Sequence, residues 1–203
     1  MVNETASATH AGGPLDALRA KAPARHFACL FAPVSRRTAL VNLHLLDLRL
    51  ENAARDASEL QIALIKLAWW RDALAELPDR AQSGEPLLTA LADAEVPGWP
   101  PLLAALAEAH MDMAEGQEAG ASGRGAALFR AAGRLLSEAG DPGSETYLTS
   151  AGEAWGRRER HTGPPADRSM RPITALARIA DEKSRSPSRE QLAIMAHILT
   201  GRL

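Results

Sequence analysis

The sequence predicts an all-α fold, and three observations carry that prediction. Apolar residues recur at three- and four-residue spacing, most clearly Leu40, Leu43, Leu46 and Leu50, which places them on one face of a helix. No segment alternates apolar and polar residues as a half-buried strand would, and no repeat of fixed period is present. Prolines and glycines fall between the periodic segments, at Pro14, Pro23, Pro33, Pro78, Pro86, Gly98, Gly140 and Pro142, where they open or close helices.

In order, residues 1–13 are small and polar and read as a loose tail, with a helical domain over 14–203. Pro14 opens PLDALRAKA, because a first helical turn has no use for the missing amide hydrogen. RHFACLFA forms a short apolar helical piece that Pro33 ends. A long helix follows from about Pro33 to Arg55. Ser58 and Gln61 then read as a capping box that starts the next helix.

That helix carries Leu60, Ala63, Leu64, Leu67, Trp70 and Leu74 on one side and Ile62, Ile65, Trp69 and Ala73 over much of the rest. A helix apolar all round is expected to be buried among others. Pro86 opens PLLTALADA, VPGWP reads as a turn, and PPLLAALAEAHMDMAEGQEA as an amphipathic helix closed by GASGRG. Residues 125–139 form the next helix, SETYLTSAGEAWGRRERH starts from a Ser144 cap, GPPADRSMRP is an irregular link, and two helices finish the chain around ITALARIADEK and SREQLAIMAHIL.

The 203 residues fit one domain with a substantial core, and 46% apolar content is ordinary for a globular protein. A formal net charge of −2 excludes a strongly basic nucleic-acid surface over the whole chain. Cys29 is the single cysteine, so no intrachain disulfide forms, and its apolar neighbours mark a buried small hydrophobe in a reducing compartment. MVNETASATHAGG lacks the apolar core of a secretory signal, and no apolar run reaches bilayer-spanning length. A cytoplasmic protein, with peripheral contact at the inner face of a membrane left open, is the expectation.

No glycine-rich phosphate loop, Cys/His metal set or Gly-x-Ser-x-Gly elbow is present. The histidines at 10, 26, 44, 110, 161 and 197 are not paired at metal-ligand spacing and read as surface or satisfied core residues. Asp47, Glu51 and Arg55 are successive i, i+4 neighbours. Two carboxylates on one face could hold Mg2+, but Arg55 competes with a metal, so an ion-pair row is the preferred reading. Arg71 sits on a very apolar helix and needs an acidic partner, for which Asp47 or Glu51 are the natural candidates. Arg36 and Arg37, in the first turn of the long helix, could receive a diphosphate. Spacing alone favours plain exposed basic residues.

The stretch HFACLFAPVSRRTALVNLHLLDLRLENAARD resembles the opening of the squalene/phytoene synthase family, helical enzymes that join two isoprenyl diphosphates head to head. Pro33, Arg37, Ala39 and Leu40 match the family's pattern without gaps. Continuing so places Glu51-Asn52 under the paired aspartates of the first acidic motif, Arg55 under the third and Asp56 under the acid that follows. PPLLAALAEAHMDMAE, with Met111 and Asp112, resembles the middle helix of the family, FRAAGRLL with Gly133 the next, and SAGEAWG the start of the helix bearing the second acidic motif. The chain then reads GRRERHTG, with arginines where carboxylates belong.

The resemblance, over about residues 24–160, implies a single helical bundle of the trans-isoprenyl diphosphate synthase type, shortened towards its C-terminus. IALIKLAWWRDAL after a degenerate acidic motif looks most like a bacterial branch similar to the mitochondrial complex I assembly factor derived from the family. It implies a protein that has lost catalysis and acts by binding, in assembling a respiratory membrane complex or handling an isoprenoid or quinone-like lipid, without a cofactor. The alternative is an isoprenyl diphosphate transferase that works with Mg2+ and a reduced set of Glu51, Asp56 and Asp112. A third reading is a helical adaptor whose cavity has collapsed.

Overall fold

The structure, a computed structural model, describes residues 12–82, 84–137, 142–161, 163, 167–180 and 186–201. Of the expected tail only Gly12 and Gly13 lie within these residues. Among the described residues there are ten α-helices and no strand. They are α1 Pro14–Lys21, α2 Pro23–Cys29, α3 Val34–Arg55, α4 Leu60–Ala75, α5 Pro86–Ala92, α6 Trp99–Ala114, α7 Gly120–Leu136, α8 Pro142–Arg157, α9 Arg171–Arg178 and α10 Pro187–Thr200.

The long helix α3 is the axis of the bundle. It touches α1, α2, α4, α5, α6 and α7, and Leu40, Leu43, Leu46 and Leu50 are all fully buried. The predicted stripe is therefore the core face. Val41 from the same helix, Leu67 and Leu74 from α4, Leu103 and Leu106 from α6, and Leu128 and Phe129 from α7 complete the main cluster. Burying side chains of this size contributes roughly 1.5–3 kcal/mol each. Cys29 lies in this core, and burial pushes its thiol up to about 12.

Several local expectations change. α4 is not buried all round. Ala63, Leu67, Trp70, Ala73 and Leu74 face inward, but Leu60, Ile62, Ile65 and Trp69 are exposed, Ile65 by 69%. The reason is coverage: α4 packs chiefly against α6 and α3, which occupy one side of it. Trp70 is core, and Trp69 stands edge-on to it at 5.2 Å with its far side in solvent. The capping box is absent as well. Glu59, with extended backbone, precedes α4 and no side chain caps it, so Ser58 stands one position too early.

GASGRG does not break the chain; it forms the first turns of α7. Gly120 and Gly125 serve close packing rather than a turn. A Cβ on Gly125 would overlap the carbonyl oxygen of Gly152 on α8, and one on Gly156 would overlap that of Ala121. These two helices pack backbone to backbone, as small residues at a crossing allow. α8 begins at Pro142, so Ser144 lies inside its first turn and not at the cap. VPGWP holds a core anchor: Gly98 takes φ +72° to enter α6, and buried Trp99 donates from its indole nitrogen to the carbonyl of Ala131 at 2.8 Å.

His44, on the buried side of α3, is not satisfied. Neither ring nitrogen has a hydrogen-bond partner among the described residues. Burial, with a further push from the nearby charge of Arg25, lowers its pKa to about 3. The unfolded chain takes up this proton below the ordinary 6.5 and the folded chain does not until about 3. The contribution of a neutral His44 is thus complete above pH 6.5 and is lost as pH falls through that window. We expect urea-unfolding stability to decline by up to about 1.4 kcal/mol per pH unit there, and His44→Leu to flatten that decline.

Candidate functional site

The site grows from Asp47, midway along α3 and fully buried. Isolated, a carboxylate there would be very costly. Its Oδ1 accepts hydrogen bonds from Arg124 Nε at 2.7 Å and from His110 Nε2 at 2.9 Å. Its Oδ2 accepts from Arg25 Nη1 at 2.7 Å and Arg124 Nη2 at 2.6 Å. Arg124 thus grips both oxygens in the bidentate geometry that suits guanidinium to carboxylate. An ionised carboxylate only accepts, so the proton of His110 sits on Nε2.

Trp155 of α8 closes the cluster from above. The guanidinium carbons of Arg25 and Arg124 lie 5.1 and 5.3 Å from its ring centre, within cation–π range. Burial works to raise the Asp47 pKa, but the charge of Arg25 and the hydrogen bonds of Arg124 and His110 hold it well below the ordinary 3.8. Its pairing therefore stabilises the fold down to the usual aspartate range and is lost as pH falls below it.

Glu51, one turn on, leads from this cluster to solvent. Its Oε2 is 3.4 Å from Arg124 Nη2, and its Oε1 accepts from Arg55 Nη2 at 2.6 Å. Arg55 also donates to Asn52 Oδ1 at 3.2 Å. Asp47, Glu51 and Arg55 do share a face, and along it exposure of the side chains rises from 0% to 36% to 61%. Glu51, Arg55 and His110 line a groove of about 420 Å³ between α3, α4 and α6, with Leu60, Ala63 and Met113 as its apolar part. A second groove, about 470 Å³ on the other side of the helix pair, is lined by Arg49, Asp56, Ile65, Lys66 and Trp69.

Arg71 does not join the cluster. It lies beside the inward face of α4, half-buried, and its guanidinium closes on the neighbouring Asp72 at 2.7–2.8 Å. Among the transferase candidates, Glu51 and Asp56 line different grooves, and half-buried Asp112 lines neither. Arg36 is exposed on the first turn of α3. Arg37 donates to the carbonyls of Leu30 and Ala32 at 2.8 and 3.1 Å, so it holds the loop before α3.

The residues present do not fit Mg2+. A hard cation takes carboxylate oxygens as ligands, and the oxygens of Asp47 and Glu51 already accept from Arg25, Arg55, Arg124 and His110. Among the described residues no three His, Cys, Asp or Glu side chains form a set that could hold a metal ion.

The sequence reading missed Arg25, His110, Arg124 and Trp155. The signal for His110 was its place on the apolar face of α6, where a polar ring needs a partner. Arg124 was hidden inside GASGRG, and its partner is 77 positions away.

Because Asp47 is buried and Arg124 is its bidentate partner, Arg124→Ala leaves the carboxylate undercompensated and is expected to cost about 3–5 kcal/mol. Arg55→Ala, at an exposed pair, is expected to cost under about 1 kcal/mol. Urea midpoints at constant slope measure both; equal losses would show that the cluster is not organised around Asp47.

The sequence profile of the squalene/phytoene synthase family matches residues 18–119, from within α1 to the residue before α7. The match takes in Arg25, Asp47, Glu51, Arg55 and His110, and stops short of Arg124 and Trp155. No curated protein and no solved structure matches the chain. With half of its residues aligned to the profile and an all-helical architecture, this chain belongs to the squalene/phytoene synthase family.

Proposed function

We propose that this protein is a family member without prenyl-transfer activity that acts by binding. One observation carries the reading: the acids of the first long helix are committed to arginines. Ionising an allylic diphosphate calls for carboxylates that hold Mg2+ against the leaving group, a Lewis-acid task. Asp47 accepts four hydrogen bonds from Arg25, Arg124 and His110. Freeing it for a metal would strip its partners and strand two guanidiniums against Trp155. Glu51 carries Arg55 in the same way.

The groove between α3, α4 and α6 is then a binding surface. Its apolar part, Leu60, Ala63 and Met113, suits an isoprenoid or quinone-like lipid chain. The neighbouring exposed residues of α4, Ile62, Ile65 and Trp69, suit a protein partner, and a subunit of a respiratory membrane complex is the partner that the family resemblance suggests. The placement of Glu51 and Asp56 on opposite grooves weighs against the transferase reading, which needs them to act together.

Pure protein incubated with farnesyl and geranylgeranyl diphosphate and Mg2+ is expected to release no diphosphate above a blank. Release that Glu51→Ala abolishes would establish the transferase instead. Capture from solubilised membranes separates the binding roles: respiratory-complex subunits support the assembly role, and a co-purifying isoprenoid supports the lipid role.

A further inference from the structure

The loop between α2 and α3 takes no part in the Asp47 cluster, yet it is built to hold a shape. Tight turns run through it, with amides of Leu30, Phe31 and Ala32 donating to carbonyls of Phe27, Ala28 and Cys29 at 3.0–3.2 Å. Arg37 reaches back from α3 and donates to the carbonyls of Leu30 and Ala32. Ala32 is buried at the base of the loop. Phe31 rests edge-on against Phe27 at 5.4 Å. The outcome is a fixed loop that presents large apolar side chains to solvent: Leu30 39% exposed, Phe31 40% and Val34 80%. Three apolar side chains clustered on one held loop form a surface of the kind that interaction sites use.

The charge around it selects the partner. From Ala17 to Leu46 the chain contains no Asp or Glu, but has Arg19, Lys21, Arg25, Arg36 and Arg37. In a chain of net charge −2, this stretch is cationic. Arg25 is spent inward on Asp47, whereas Arg36 is exposed directly beside the apolar projection. The exposed side of α4 differs, since its apolar residues are mixed with Lys66 and Asp72 and flanked by Asp56, Glu59 and Glu76, so both signs of charge surround it. A second exposed apolar face belongs to α10, which packs against α2. Leu192, Met195 and Leu199 are exposed on it, and the one ionisable side chain from Gln191 to Gly201, His197, is buried.

We propose that the α2–α3 loop is a membrane-docking element, with Leu30, Phe31 and Val34 entering the acyl boundary of an anionic lipid surface and Arg36 contacting its phosphates. Apolar burial at the interface and attraction of basic residues to anionic headgroups add together in such binding. The exposed α10 face, on a helix packed against α2, adds apolar residues to that contact. Docking of this kind involves none of the groove residues and holds whether or not the protein transfers prenyl groups.

The test is co-sedimentation of the full chain with vesicles, without any prenyl diphosphate. Vesicles of phosphatidylcholine alone are compared with phosphatidylcholine mixed with phosphatidylglycerol. The protein is expected to pellet with the mixed vesicles, less so with phosphatidylcholine alone, and to be partly released by salt. The double variant Phe31→Ser/Val34→Ser is expected to lose affinity by roughly tenfold or more, because its apolar burial is gone. Arg36→Glu, at an exposed position that leaves the fold intact, is expected to weaken binding to the mixed vesicles alone. Ile65→Ser on α4 is expected to bind as the parent does. A parent protein that stays in the supernatant, equal pelleting with both lipids, or a correctly folded loop variant that still pellets would each overturn the proposal. So would loss of binding in Ile65→Ser with the loop variant unaffected, which would move the contact to α4.

Discussion

Asp47 is shut off from bulk solvent, and the bundle is arranged around supplying other partners for its charge. Arg25 comes from α2, His110 from α6 and Arg124 from α7, while Trp155 of α8 lies over both guanidiniums. Five helices therefore meet at one carboxylate of α3. The Coulombic gain of such a cluster is largely offset by desolvation, so its net stabilisation is small compared with the cost of leaving one member unpartnered. That asymmetry makes it a registration device. A helix displaced by one turn would bury a charge alone, and only the native docking of α2, α6 and α7 avoids this.

The small residues of α7 and α8 follow from the same demand. For Arg124 to reach Asp47 and for Trp155 to cover it, the first turns of α7 and the last turns of α8 lie in backbone contact. Gly125, Gly152 and Gly156 permit that approach. A helix rich in glycine is weak in isolation, and here tertiary packing decides. This is why GASGRG, taken alone, reads as a break.

What could be read from the sequence was local. The span of α3, its leucine stripe, the all-helical class and the buried cysteine depend on spacing and composition within a few turns. The family resemblance depended on ungapped spacing around Pro33, Arg37, Ala39 and Leu40, and the family match takes in that stretch. The contents of the site depend on pairs 22, 63 and 77 positions apart, which no periodicity encodes. Arg71 illustrates the limit: a charged residue on an apolar helix does need a partner, but Asp72 beside it sufficed. α4 shows another. Its apolar residues were counted correctly, but how many neighbours cover a helix is a property of the whole bundle. The surface left bare there carries Leu60, Ile62, Ile65 and Trp69.

We propose that arginines stand at the acids of α3 in the place of a cation. Thermal unfolding of the purified protein with and without Mg2+, at matched ionic strength, tests it most directly. A ligand that prefers the folded state raises the melting temperature in proportion to its binding. The account predicts no change up to millimolar Mg2+. A rise that depends on Mg2+ concentration and disappears in Glu51→Ala would contradict it, because the carboxylates would then be available to a metal.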